Sequence, residues 1–203
     1  MKTEIIIPEK KYKTALQQSA AILKSGGIIA FPTDTVYGIG CIASNKKSIN
    51  RIYELKNRKY DKPLALYFSD ISSINDYVTE IPDPFYLLAE IYLPGALTII
   101  LKAKDEITSL INSKNGTVAV RIPAQAFLLD LIRELGEPIA GTSANLSSKP
   151  AALNLQEAKD YFDGAIEGII DGGEAQLGME STIVDLSSGK INILREGAIS
   201  LGY

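Results

Sequence analysis

Phe31-Pro32-Thr33-Asp34-Thr35-Val36-Tyr37-Gly38-Ile39-Gly40 is the stretch on which the reading of this chain turns. It places hydroxyls, one carboxylate and two glycines between apolar runs, a mixture that ordinary core packing does not call for. The preceding residues 27–31 read as a short buried strand, too apolar to alternate and too short for a helix. Pro32 removes a backbone donor and ends the ladder. The hydroxyls therefore fall at the carboxyl end of a strand, where open α/β sheets place their ligands. A polar turn with glycine supplying positive φ is the plainer alternative.

Outward from this segment, strand-like and helix-like patterns alternate. Strands are expected near residues 4–7, 64–68, 96–101, 117–122, 138–140, 167–170, 181–186 and 190–194. Helices are expected over 11–24, from a cap at Ser44 or Asn45 through Lys56, over 84–92, 124–135 and 155–162. The alternation predicts an α/β layered fold in one domain, residues 1–203, without repeats or linkers.

Composition narrows the chemistry. The 203 residues carry 21 Lys and Arg, 24 Asp and Glu, one Cys and no His, for a net charge of −3. A chain of this length buries roughly 70% of its unfolded surface, so no disulfide or metal is needed to hold it. Without histidine there is no Ser-His-Asp triad, Cys-His pair or histidine-ligated zinc. Chemistry must run on Lys, Arg, carboxylates, hydroxyls and backbone amides, and any metal would be a hard cation such as Mg²⁺. The acidic balance argues against wholesale nucleic-acid binding and leaves room for a local basic face. No apolar run approaches the ~20 residues that span a bilayer, and a cytoplasmic protein is expected.

Five further clusters share the logic of the first. Lys56-Asn57-Arg58-Lys59 with Lys62 follows the second helix; both cations reach one site only if that helix ends near Arg58, and they also suit a helix C-terminus. Arg121 closes an apolar strand, as a solvated edge or as an anion receptor. Gly141-Thr142-Ser143-Ala144-Asn145 follows a buried strand and suits phosphate or ribose oxygens. Glu180-Ser181-Thr182 and Leu194-Arg195-Glu196-Gly197 lie at strand ends. Gly38 to Ala43 fits a relaxed dinucleotide-binding pattern but reads as strand where a helix is required, and no GxxxxGK[ST] loop occurs.

Taken with Leu93-Pro94-Gly95-Ala96-Leu97-Thr98, these motifs run in an order that resembles the YrdC-like family of L-threonylcarbamoyladenylate synthases, in a short single-domain form. The resemblance implies a twisted mixed sheet flanked by helices around a concave basic cavity. It implies a reaction of L-threonine, bicarbonate and ATP, with Mg²⁺, giving threonylcarbamoyl-AMP and pyrophosphate for the t6A modification at tRNA position 37. It assigns Lys56 and Arg58 to catalysis and, with Thr117, Gly141, Ser143, Asn145 and Arg195, to ATP. It assigns Thr33, Tyr37, Tyr67, Arg121, Thr142 and Ser181 to threonine. It also implies a downstream tRNA threonylcarbamoyl transferase complex as partner, with a tRNA or double-stranded RNA contact as a further expectation. One departure stands out: many members carry histidine where this chain has Tyr67, a phenol that donates without carrying charge. The alternative is a catalytically silent paralogue of the same fold that binds nucleotide or RNA.

Overall fold

The computed structural model describes residues 2–202. Ten strands join one mixed sheet. In chain order they are β1 (Glu4–Ile6), β2 (Ile29–Phe31), β3 (Gly38–Ile42), β4 (Ala65–Tyr67), β5 (Leu97–Lys102), β6 (Thr117–Arg121), β7 (Ile139–Ser143), β8 (Gly168–Ile170), β9 (Thr182–Asp185) and β10 (Asn192–Arg195). Their spatial order is β1-β8-β2-β3-β7-β4-β6-β5-β9-β10. The helices are α1 (Tyr12–Lys24), α2 (Lys46–Lys56), α3 (Asp83–Tyr92), α4 (Asp105–Leu110), α5 (Ala126–Leu135) and α6 (Leu155–Phe162), with a 3₁₀ turn at Ser72–Asp76.

The side-chain period of two sorts each strand between two cores. On one face Ala30, Ile39, Cys41, Leu66, Leu97, Ile99, Val118, Val120, Ala140 and Val184 join the buried faces of α2, α3 and α6 in a continuous core. On the other face Ile29, Phe31, Ile139 and Ile170 pack against Ala15, Ala20 and Leu23 of α1 and Phe127, Leu128 and Leu131 of α5. This second core underlies the β1-to-β7 half of the sheet and ends at Tyr67 of β4, whose ring packs edge-on against Phe31. Over β4, β6, β5 and β9 the same face carries Ala65, Tyr67, Ala119, Arg121, Thr98 and Ile183, small or polar except at Ile183, and forms a cavity instead.

The helix ends follow local chemistry. The Asn45 side chain caps α2 by accepting from the Ser48 amide, and α2 stops at Asn57, whose φ of 49° breaks the helical path. The helix thus ends two residues before Arg58, near the end that the sequence led one to expect. Two expectations change. The strand expected over residues 138–140 extends to Ser143, because β7 pairs with β3 through Gly38↔Ser143, so the small-residue cluster begins within the ladder. The sequence pattern also missed α4 and the 3₁₀ turn, both too short to show a helical period.

Candidate functional site

The cavity encloses about 200 Å³ and gathers residues from both ends of the chain. Its floor arises from small side chains in register. Ala65 pairs with Ala119 on one side and with Gly141 on the other, so three neighbouring strands present almost no side chain at one level. One step along, Tyr67 stands beside Arg121 and forms the wall. The Gly141 position is fixed by backbone approach, since a Cβ there would lie 2.7 Å from the Ile39 carbonyl oxygen.

The opening segment folds as a tight polar turn above this floor. Arg121 donates from one terminal nitrogen to Asp34 Oδ1 at 2.8 Å, from the other to Thr35 Oγ1 at 2.9 Å, and from Nε to the Gly95 carbonyl at 3.2 Å. Thr33 Oγ1 donates to the Val36 carbonyl at 2.6 Å and lies 2.9 Å from Thr35 Oγ1. With the Thr33 proton committed to Val36, Thr35 donates to Thr33, and the hydroxyls form a relay from Arg121 to the backbone. Arg121 is 4% exposed, which decides between the two sequence readings: it is a buried cation and not a solvated strand edge. Three of its five N–H groups are engaged, leaving two for an anion.

Two more arginines face the cavity. Arg58 is steadied by the Lys62 and Pro63 carbonyls at 2.9 and 3.2 Å. Arg195 donates from Nε and a terminal nitrogen to the Ser181 carbonyl at 3.0 and 2.8 Å, and its other terminal nitrogen pairs with Glu180. Ser181 Oγ lies 2.8 Å from Thr98 Oγ1. Three arginines thus meet two carboxylates, Asp34 and Glu180, giving a cationic surplus ringed by hydroxyls. Burial raises the Tyr67 pKa, opposed by Arg121, so the phenol keeps its proton at neutral pH.

Of the residues expected in the site, Thr33, Arg58, Tyr67, Arg121, Gly141, Thr142, Ser143, Ser181 and Arg195 line this cavity. Four lie off its wall. Tyr37 is wholly buried, donating from its hydroxyl to the Gly173 carbonyl at 2.8 Å; burial pushes its pKa up to about 12. Thr117 shares the cavity face of β6 but lies beyond Ala119, at the strand's far end opposite Lys102. Lys56 and Asn145 are buried against one another beneath the wall, Nζ to Oδ1 at 2.8 Å. Thr35, Val36, Pro63, Ala65, Thr98, Ala119, Glu180 and Ile183 were not among the expected site residues, yet they line the cavity. Period-two alternation with Tyr67, Arg121 and Ser181 would have found Ala65, Ala119 and Ile183.

No cluster of three or more His, Cys, Asp or Glu suited to a metal occurs among the described residues. The cavity's donors are cationic and hydroxylic, which suits a Mg²⁺ carried by a nucleotide's own phosphates and water. Nor is any helix long and apolar enough to cross a membrane.

A family model for the Sua5/YciO/YrdC domain, described as "Telomere recombination", matches residues 21–197. The threonylcarbamoyl-AMP synthase of Bacillus subtilis is 40% identical over 91% of this chain and 54% of its own length. That of Pyrococcus abyssi is 36% identical over 97% and 58%. This chain therefore spans little more than half the length of these two relatives. The structure of P. abyssi Sua5 complexed with L-threonine superposes with a TM-score of 0.91 at 36% identity, over 97% of this chain and 58% of that one. Escherichia coli YciO gives 0.86 at 28% identity, over 97% and 96%. With its fold, its motifs and this family model extending over most of its length, the chain belongs to the Sua5/YciO/YrdC family.

Proposed function

We propose that the chain makes threonylcarbamoyl-AMP from L-threonine, bicarbonate and ATP. The observation that carries this reading is the convergence of Arg58, Arg121 and Arg195 on one hydroxyl-lined cavity in a protein without histidine. The relatives' names and the L-threonine complex of the P. abyssi protein support it.

In this reading the threonine amine adds to bicarbonate and water is lost, giving a carbamate. A carbamate oxygen then attacks the α-phosphorus of ATP, and pyrophosphate leaves. Both partners are anions, so the main task is to hold like charges together, and fixed guanidinium groups do so without proton transfer. The two uncommitted N–H groups of Arg121 take the threonine carboxylate, with Thr33, Tyr67, Thr142 and Ser181 around it. Arg58 and Arg195 take the triphosphate, with Gly141 and Ser143 alongside; Arg58 suits bidentate contact. Thr117, further along the same face, lies where a nucleotide longer than the cavity would extend. A Mg²⁺ held by the nucleotide's own phosphates and water would supply further charge neutralisation beside Arg58 and Arg195. This assignment places the chain in the cytoplasm and its product with a separate tRNA threonylcarbamoyl transferase complex. Direct tRNA contact would be a phosphate-driven interaction at the cationic rim, weakening steeply with salt.

The test is pyrophosphate release by purified protein given ATP, Mg²⁺, bicarbonate and threonine, with the adenylate identified by mass spectrometry. Release that needs both threonine and bicarbonate, and falls at least about 100-fold in Arg58→Ala, is the expected result; the fall corresponds to about 2.8 kcal/mol of charge-assisted contact. Tight ATP binding without turnover would instead make the chain a silent paralogue.

A further inference from the structure

Lys56 is the last residue of α2 and only 1% exposed. Its ammonium donates to the Asn145 carbonyl at 2.6 Å, to Asn145 Oδ1 at 2.8 Å and to the Ser143 carbonyl. An ammonium has three protons, and each has an acceptor here. Asn145 Oδ1 also accepts from Ser143 Oγ at 2.8 Å, and the Ser147 amide donates to the Lys56 carbonyl at 2.9 Å. The end of α2 is therefore fastened to residues 143–147 through both its side chain and its backbone. Arg58, two residues on, behaves differently. The left-handed turn at Asn57 sends it to the cavity wall, where it keeps N–H groups beyond those held by Lys62 and Pro63.

We infer that Lys56 is a positioning residue: its ammonium clamps the 143–147 turn, which carries Ser143 on the cavity wall, and does not contact the triphosphate. This rests on the synthase reading only in naming the ligand; the clamp itself is a property of the free chain. It divides the Lys56-x-Arg58 element into two jobs. Arg58 meets the nucleotide, and Lys56 fixes the distance between the wall that Arg58 occupies and the wall that Ser143 occupies. Burial, with a smaller push from Arg58, draws the Lys56 pKa down to about 7 while Glu180 opposes. The three oxygens around Nζ suit the ammonium form, since a neutral amine would leave one of them without a donor, so the clamp is read below pH 7.

Nuclear magnetic resonance of the full chain, labelled with ¹⁵N at lysine and arginine side chains, tests this before any turnover is measured. In the free wild type, one lysine ammonium signal is expected to exchange slowly with water, and to vanish in Lys56→Arg. On titration with ATP that signal stays in place while the Arg58 Nε signal moves. In Lys56→Met, amide hydrogen exchange at residues 144–147 is expected to quicken at least about tenfold, with α5 unchanged. Should that variant fold poorly, Asn145→Ala, which removes Oδ1, one of the three acceptors around Nζ, is expected to speed exchange of the Lys56 ammonium. A Lys56 signal that moves with ATP, no slow ammonium in the free chain, or unaltered loop exchange in Lys56→Met would each overturn the inference. Failure of the synthase reading looks different: the clamp signals appear and respond as expected, but ATP, threonine and bicarbonate together release no pyrophosphate.

Discussion

Arg121 and Asp34 form an ion pair of 2.8 Å in which the two side chains are 5% and 6% exposed. Asp34 Oδ1 also accepts from the Ala124 amide at 3.1 Å, while Oδ2 has no hydrogen-bond partner. The pair is thus asymmetric: the guanidinium is well supported, and the carboxylate depends on it. Arg121→Ala leaves a buried, half-satisfied carboxylate, and a loss of about 3–5 kcal/mol of stability is expected. Arg121→Ala with Asp34→Ala should recover much of that loss without restoring threonine binding. Urea denaturation of the two variants, with calorimetric titration of threonine, checks both statements.

The cavity floor is expected to behave in the opposite way. Ala119 faces open space beside Ala65, so Ala119→Leu fills the site without crowding the core on the sheet's other face. Ligand binding should fall at least about tenfold, while stability changes by no more than about 1 kcal/mol. Thermal unfolding with and without ligand separates the two effects, since only the ligand-dependent part of the shift should disappear.

Gly197 is set by close approach and not by turn geometry. A Cβ there would lie 2.3 Å from the Glu180 carbonyl oxygen and 2.4–2.5 Å from Ser181 backbone atoms. Its amide donates to Thr182 Oγ1 at 2.9 Å. Gly197→Ala must push back the segment that holds Glu180 and Ser181, and with it the seat of Arg195. A cost of about 1–3 kcal/mol is expected, together with a raised KM for ATP. An unchanged KM in a destabilised variant would mean that Arg195 is held independently of this contact.

Asp70 provides a pH signature outside the cavity. Its carboxylate accepts from Ser72 Oγ at 2.6 Å, the Ser73 amide at 3.0 Å and Ser69 Oγ at 3.0 Å. The Ser72 bond foremost lowers its pKa from 3.8 to about 2. A depressed carboxylate pKa stabilises the folded state above the unfolded value and loses that effect as pH falls through the folded one. The stability difference between wild type and Asp70→Ala should therefore be constant above about pH 5 and shrink from about pH 4 towards pH 2. Unfolding midpoints across this range measure it.

Much of this could be read from the sequence because strand ends are marked by abrupt changes of residue type. Pro32, Arg121, Gly141 and Arg195 each follow an apolar run, and Arg121, Gly141 and Arg195 themselves line the cavity. What the pattern could not show was depth. Lys56 and Asn145 look like ligand donors in sequence, yet a lysine on the buried face of α2 can satisfy itself on neighbouring carbonyls. Tyr37 sits among cavity residues in the chain, but the alternation of β3 begins there and sends its ring into the core. Thr35 and Thr98 were missed for the reverse reason. Their partners, Arg121 and Ser181, are 86 and 83 residues away, and such pairings exist only once the sheet is assembled.

The floor and walls draw on segments from Thr33 to Arg195, and the strand order interleaves early and late parts of the chain: β8 separates β1 from β2, and β9 lies beside β5. No contiguous fragment contains the site. A topology dominated by such distant pairings folds slowly, over milliseconds to seconds. Binding competence should accordingly appear only with the last strands in place. A ligand at 100 times its Kd then adds about 2.7 kcal/mol to the stability of the finished molecule and nothing to a partly folded one. The substrate thereby favours complete chains over incomplete ones, and a nascent chain lacking β9 and β10 has no Arg195 with which to close the cavity.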